Sequence, residues 1–141
     1  MFKVIVLALD GSEGSRGAIP LAVELATRDG ARIVIAHAVQ VLVGKGGPAE
    51  PLAEDTIRNE LEQTSKELRE QGLETTLDIR RTVLGGPAVV IKEIADEAGA
   101  DLIVTGTHGH SALARAIVGS VTARLLQIED RPVLVVPHHK A

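Results

Sequence analysis

Glycine and hydroxyl residues in the last third of the chain have a spacing that suits phosphate binding. Gly106 and Gly109 follow an apolar segment, and nine residues separate Gly109 from Gly119 and Ser120. Glycines let the backbone turn sharply and come close to a ligand. Ser120 stands where it can cap a helix over residues 121–125, and the free N–H groups of a helix start attract phosphate. The pattern predicts a loop for a sugar and its first phosphate, and a helix start for the outer phosphates.

The two widespread phosphate fingerprints do not occur in the sequence. The motif G-x-G-x-x-G does not follow the first apolar run, and G-x-x-x-x-G-K-[ST] is absent throughout. Gly44, Lys45 and Gly46 have the wrong spacing and lack a strand-to-helix context. We interpret residues 44–48 as an exposed, mobile loop, and a lid that touches phosphate is the minor alternative.

Apolar runs and helical patterns alternate along the chain. Continuous apolar runs are typical of parallel strands that helices cover on both sides, whereas the alternating pattern at residues 75–83 indicates a half-exposed edge strand. The order predicts an α/β fold: a doubly wound, five-stranded parallel sheet with helices on both faces. The predicted strands are 2–9, 31–39, 75–83, 101–105 and 132–136, and the predicted helices are 15–29, 54–71, 87–98 and 111–128.

Unusual residues follow two of these strands. The first strand ends in Asp10, Gly11 and Ser12, and the fourth runs into residues 106–111. In doubly wound sheets a ligand lies beyond the carboxyl ends of the strands, where the strand order reverses. The residues do not give the strand order by themselves. If the first and fourth strands are neighbours at the reversal, their loops share one crevice.

Composition excludes several classes of protein. The 141 residues suit one domain spanning residues 1–141, and the absence of cysteine excludes disulfides, zinc-thiolate sites and thiol nucleophiles. A net charge of −4 argues against nucleic-acid binding. No apolar run reaches a membrane span and no signal peptide pattern opens the chain, so we expect a cytoplasmic protein. With aromatic content of 1%, a bound base must lie between aliphatic side chains.

The combined pattern resembles the universal stress protein family over the whole chain. The resemblance rests on G-x2-G-x9-G-[ST], on residues 10–12 and 36–39, and on the last strand with Pro137 after it. It implies an adenine nucleotide alpha-hydrolase-like fold with strand order 3-2-1-4-5, which places the first and fourth strands at the reversal. It also implies ATP binding, with Mg²⁺ or Mn²⁺ as the accompanying ion and slow or no hydrolysis. Family members pair through the last strand, which implies a homodimer through residues 132–136.

The resemblance also implies which residues hold the nucleotide. Asp10 resembles the acid near adenine and ribose, and Ala8 and Ala38 fall where small apolar groups hold the adenine. His110 stands where relatives often carry Lys or Arg, and Arg115 is a candidate for the missing cation. The full implied set is Ala8, Leu9, Asp10, Ala38, Thr105, Gly106, Thr107, His108, Gly109, His110, Ser111, Ala112, Gly119, Ser120, Val121 and Thr122.

Simpler interpretations compete with these roles. Asp10 at a strand end also suits a turn former or a helix-capping residue, and His37 within an apolar strand is interpreted as a structural histidine. His108 and His110 have metal-like spacing, but nothing places a third ligand beside them, so we expect loop histidines and no metal site. Ser111 beside His108 suggests a hydrolase triad, which the missing G-x-S-x-G elbow disfavours.

Three functions remain open at this point. The first is a nucleotide-dependent stress-response or signalling protein that binds ATP, with no catalytic residue assigned. The second is a slow ATPase or a nucleotidyl-type transferase on the same fold. The third is a nucleotide-free, dimeric interaction module.

Overall fold

Five parallel strands form the central sheet of the protein in the computed structural model, which describes residues 1–82, 86–107 and 119–137. In chain order the described strands are β1 (Val4–Ala8), β2 (Arg32–Gln40), β3 (Leu42–Gly44), β4 (Gly47–Ala49), β5 (Thr75–Thr82), β6 (Leu102–Gly106) and β7 (Val133–Val136). Strands β3 and β4 form a separate two-stranded sheet, and the other five form the central sheet. The helices described are α1 (Glu13–Arg16), α2 (Ile19–Asp29), α3 (Glu54–Glu70), α4 (Gly86–Ala98) and α5 (Ser120–Ile128).

The strand order is β5-β2-β1-β6-β7. Without the short strands β3 and β4, this is the predicted order 3-2-1-4-5, which is confirmed. The chain moves outwards from β1 through β2 to β5 and then returns to the other side of β1. The order therefore reverses between β1 and β6, and the predicted edge positions of β5 and β7 are correct.

Helices cover both faces of the sheet, as predicted. Ile5 and Leu7 of β1 belong to a core that includes Ala22 of α2 and Leu61 of α3. Neighbouring residues of β1 point to the other face because side chains alternate along a strand. On that side the core comprises Val6 and Ala8 of β1, Ile91 and Ile94 of α4, and Leu125 of α5.

The predicted helix over residues 15–29 is two helices. Ser12 caps α1 by accepting a hydrogen bond from Ser15 N at 3.1 Å, which starts that helix two residues before Ser15. A new helix, α2, begins at Ile19 with a proline in its first turn, where the missing N–H is tolerated. None of the helices in the described ranges is long and apolar enough to cross a membrane.

Residues 44–48 differ from the irregular loop that the sequence predicts. Strands β3 and β4 pair antiparallel, with Gly44 opposite Gly47. Gly47 has φ +94°, a conformation that favours glycine and permits the tight reversal. The hairpin is exposed, as predicted, with Leu42 and Val43 on its surface.

Candidate functional site

A cavity of about 320 Å³ lies at the carboxyl ends of β1, β2 and β6, where the strand order reverses. Every described residue of the predicted nucleotide-binding set lines it: Ala8, Leu9, Asp10, Ala38, Thr105, Gly106, Thr107, Gly119, Ser120, Val121 and Thr122. The remaining predicted residues, His108, Gly109, His110, Ser111 and Ala112, lie outside the described residues, as does Arg115. The described residues of the predicted set come from four separate segments of the chain, and the fold brings them to one cavity.

Alanines on three sheet positions create the apolar part of this cavity. Ala8 of β1 lies directly opposite Ala36 of β2, and Ala38 is two residues further along β2. Larger side chains such as Val6 fill the same sheet face nearer the amino ends of the strands. At the carboxyl ends of β1 and β2 the side chains are the methyl groups of alanines and not larger, branched groups. A space therefore remains between α4 and the sheet, and Ile91 borders it. This space has the aliphatic walls that the composition requires for a bound base.

Asp10 organises the turn between β1 and α1. Its Oδ1 accepts a hydrogen bond from Ser12 N at 2.8 Å, and its own N–H donates to Ser15 Oγ at 3.2 Å. The hydroxyl of Ser15 in turn donates to Ser12 O at 3.0 Å. Asp10 is thus a turn former, the simpler of its two interpretations, and it is also an exposed residue of the cavity wall. The two roles are compatible.

Gly106 is needed for a reason that the sequence does not reveal. A Cβ at this position would lie 2.2 Å from Gly14 O and 3.0 Å from Ser15 Cα, so helix α1 packs directly against the end of β6. The carbonyl of Gly106 also accepts a hydrogen bond from Thr122 Oγ1 at 3.2 Å. Gly106 therefore joins β6 to α1 and α5, and packing alone accounts for the glycine.

The start of α5 differs from the prediction in one detail. Gly119, and not Ser120, is the N-cap of the helix, with φ −60° and ψ 158°, and no side chain caps the helix. Ser120 is already the first helical residue, so its hydroxyl is not the capping group. The first N–H groups of a helix have no partner within it, and the residues at this helix start, Ser120, Val121 and Thr122, line the cavity.

A buried, hydrogen-bonded pair of side chains also lines the cavity, and the sequence indicated only one of the two residues. His37 Nδ1 lies 2.8 Å from Leu9 O, and its Nε2 lies 2.5 Å from Glu54 Oε1. Both side chains are only 4% exposed. The two ring contacts confirm that His37 is a structural histidine. Glu54 had no signal in the sequence beyond its place at the start of a polar helix, because its partner lies on a distant strand.

Glu50, Arg58 and Arg81 form a charged network outside the set of residues that line the cavity. Glu50 Oε1 accepts a hydrogen bond from Arg58 Nη2 at 2.8 Å and lies 3.3 Å from Arg81 Nε. The hydrogen bond from Arg58 holds the pKa of the Glu50 carboxyl below its usual value. Within the described ranges, no group of three or more His, Asp or Glu residues is placed to hold a metal ion.

Comparisons with known proteins agree with this architecture. The family model described as "Universal stress protein family" matches residues 1–137. The chain is similar to Universal stress protein MJ0531 of Methanocaldococcus jannaschii, with 34% identity over 99% of this chain and 85% of that protein. It is also similar to a universal stress protein of Thermus aquaticus, with 34% identity over 96% of this chain and 99% of that one. A solved universal stress protein in complex with cAMP has 29% identity, a TM-score of 0.64 and 96% coverage of both chains.

Proposed function

This chain belongs to the universal stress protein family, and we propose that it binds ATP in the cavity at the carboxyl ends of β1 and β6. The observation that carries the proposal is the convergence of the described predicted residues on one cavity at the strand-order reversal. The cAMP complex of a similar protein supports an adenine nucleotide as the class of ligand.

Each part of the cavity suits one part of the nucleotide. The alanine-lined space next to Ile91 matches a flat apolar base. Asp10 offers a carboxylate for ribose hydroxyl groups. The uncapped start of α5 at Gly119 offers N–H groups and a positive helix dipole to the phosphates. We propose that Mg²⁺ or Mn²⁺ accompanies the phosphates, as the family resemblance implies.

The proposed role is nucleotide-dependent signalling in the stress response, with slow or no hydrolysis. In this role, the presence of ATP changes the conformation or the partner binding of the protein. Turnover above about one per second would instead favour an ATPase, because enzymes typically work at about that rate or faster. Retention of unhydrolysed ATP in stoichiometric amount would exclude that alternative.

The first experiment is analysis of the small molecules that copurify with the protein. The chain has no Trp and no Tyr, so an adenine band released by denaturation stands out in the ultraviolet spectrum. Chromatography then separates ATP from ADP and AMP. We expect ATP, either retained or bound on titration in a calorimeter. A folded wild-type protein that retains no nucleotide and gives no heat with ATP would contradict the proposal.

Gly119→Val tests the phosphate end of the site. The backbone angles of Gly119 are accessible to any residue, so the added side chain obstructs the helix start without straining the chain. We expect ATP affinity to fall at least tenfold while the protein stays folded by circular dichroism. Gly44→Val is the matched control, because a side chain there enters open space and Gly44 does not line the cavity. Equal ATP affinity in both variants would reject the phosphate assignment.

We further propose that two copies pair through β7. Within the described chain β7 pairs only with β6, and its four apolar residues are all half-buried. An apolar edge strand needs a cover to avoid uncontrolled association, and a second copy of the same edge provides one. Light scattering after size exclusion measures the expected dimer mass. A dimer that forms without nucleotide would be the state that the alternative function, a nucleotide-free interaction module, requires.

A further inference from the structure

His37 and Glu54 lie on the opposite side of the sheet from the alanine-lined space. Ala36 and Ala38, the neighbours of His37 along β2, belong to the core on the α4 side, and side chains alternate along a strand. His37 therefore points towards α3, where Glu54 Oε1 lies 2.5 Å from its Nε2. A base in the alanine-lined space is across the sheet from this pair, so any effect of the pair on a ligand passes through the backbone that it holds.

The backbone held by the pair is the peptide bond between Leu9 and Asp10. Leu9 O only accepts, so His37 Nδ1 carries a proton and donates it over 2.8 Å. At the other end of the same planar peptide unit, Asp10 N donates to Ser15 Oγ at 3.2 Å. Both polar atoms of this peptide bond are thus held by side chains, one from β2 and one from α1.

The residue after Asp10 is fixed as well. Gly11 has φ +88°, and a Cβ there would lie 2.8 Å from Ile57 Cγ1, so Ile57 of α3 packs closely against the backbone of Gly11. Ile57 lies about one turn after Glu54 on the same helix. The start of α3 therefore holds the chain on both sides of Asp10, through His37 before it and by direct contact after it.

Glu54 keeps the imidazole of His37 in the orientation that this contact needs. Both side chains are only 4% exposed, and each ring nitrogen has its own partner, Leu9 O or Glu54 Oε1. Rotation of the ring would break both hydrogen bonds in a place shielded from water, which is unfavourable. The contact with Glu54 thereby keeps Nδ1 directed at Leu9 O.

We infer that His37, oriented by Glu54, is a positioning residue that sets the carboxylate of Asp10 for the ribose hydroxyl groups of the nucleotide. This inference rests on the proposed function, which assigns those hydroxyl groups to Asp10. Asp10 lines the cavity, and rotation of the peptide bond before it would change the direction of its Cα–Cβ bond. The proposed base and phosphate contacts belong to the alanines and to α5, so loss of the His37 contact weakens the ribose contact selectively.

The test compares ATP with 2′,3′-dideoxy-ATP, which lacks both ribose hydroxyl groups. Calorimetry measures both affinities for the wild type and for two variants that share Glu54→Leu, a change that leaves no buried carboxylate without its partner. The Asn variant, His37→Asn with Glu54→Leu, keeps a donor for Leu9 O, because the amide nitrogen of Asn is two bonds from Cβ, as Nδ1 of His is. The Leu variant, His37→Leu with Glu54→Leu, removes that donor.

The ratio of the two affinities distinguishes positioning from a general loss of structure. In the wild type we expect ATP to bind at least about tenfold more tightly than the dideoxy analogue, because hydrogen bonds to a charged group are strong. The Asn variant should keep most of this preference. The Leu variant should reduce it to about threefold or less by weakening ATP alone, since the dideoxy analogue never uses the ribose contact.

Three results would overturn the inference. The first is equal binding of ATP and the dideoxy analogue by the wild type, which needs no variant. The second is a Leu variant that keeps the wild-type ratio. The third is a Leu variant that loses affinity for both ligands to the same extent, which would leave His37 a purely structural role.

A measurement on the wild type decides the matter if the Leu variant does not fold. Nitrogen NMR of the labelled protein should show a protonated Nδ1 on His37 both with and without ATP, and the Asn variant assigns the resonance by its absence. An unprotonated Nδ1 would overturn the inference, because the ring could not then donate to Leu9 O. Failure of the proposed function gives a different outcome, since the wild type would then bind neither nucleotide.

Discussion

Replacement of Gly106 by alanine tests how closely α1 packs against the end of β6. The new Cβ would lie 2.2 Å from Gly14 O, about 1.2 Å short of the distance at which an ordinary van der Waals contact begins. The opposing atom belongs to the backbone, so no flexible side chain can move away. Either α1 or the end of β6 must shift, and the hydrogen bond from Thr122 to Gly106 O shifts with it.

The expected loss lies at the upper end of the range for overpacking. Overpacked cores lose about 1–3 kcal/mol of stability, and a rigid backbone neighbour places Gly106→Ala near 3 kcal/mol. For a chain of this size such a loss lowers Tm by about 10 °C. Urea unfolding measures the free energy of unfolding, and a thermal melt by circular dichroism measures Tm.

Gly17→Ala is the matched control. Its Cβ would face the same Gly14 O, but at 3.4 Å, which is an ordinary contact. Gly17 has φ −60° and ψ −18°, so alanine fits its backbone. We expect unchanged stability or a gain of about 0.5 kcal/mol from the less flexible unfolded chain. Equal stabilities of the two variants would refute the packing argument. Ligand binding would then be the remaining reason for a glycine at position 106.

Two further predictions concern the amino ends of the strands and the sheet edge. Asp101 Oδ2 accepts hydrogen bonds from Lys3 N at 2.7 Å and Val4 N at 2.9 Å, and these bonds lower the pKa of Asp101. Asp101→Asn keeps an acceptor but removes the charge, so we expect it to lose about 1 kcal/mol at pH 7. The pKa of Asp101 is lower in the folded chain than in the unfolded chain. The extra stability of the wild type is therefore complete above the pKa of Asp101 in the unfolded chain, about 3.9, and it is lost as pH falls through the pKa of Asp101 in the folded chain. Urea unfolding of both proteins from pH 7 to pH 3 measures this difference, and a constant difference would contradict the assignment. At the edge, Ile103 N and Thr107 N donate to Pro132 O and Val136 O, so by strand alternation the backbone groups of Val135 face away from β6. Val135→Pro should therefore abolish the proposed dimer while the monomer stays folded, whereas a variant that remains dimeric by light scattering would exclude pairing through this edge.

The roles of Asp10 and Gly106 show why a binding motif is incomplete evidence for binding. Both residues belong to the predicted nucleotide set and both line the cavity. Yet Asp10 also fixes the turn before α1, and Gly106 admits the backbone of that helix. Substitution of either residue would perturb the fold together with any ligand. Gly119 separates the two effects better, because its backbone angles are accessible to other residues.

The sequence by itself determined the alternation of strands and helices and the glycine pattern of the site. These features depend on local periodicity: apolar runs such as residues 2–9 mark buried strands, and Gly30 and Gly99 mark helix ends in the left-handed conformation. The edge position of β5 was also predictable, because its polar and apolar residues alternate. The strand order followed only from the family resemblance, since periodicity carries no information about which strands are neighbours.

Tertiary structure decided the features that depend on residues far apart in the chain. Ala8 and Ala36 make a cavity only because β1 and β2 pair in that register. Glu54 and His37 form a couple because α3 packs over β2, and Gly106 requires glycine because Gly14 lies against it. Packing of this kind depends on atoms within a few ångströms in space, whereas sequence patterns report only neighbours along the chain.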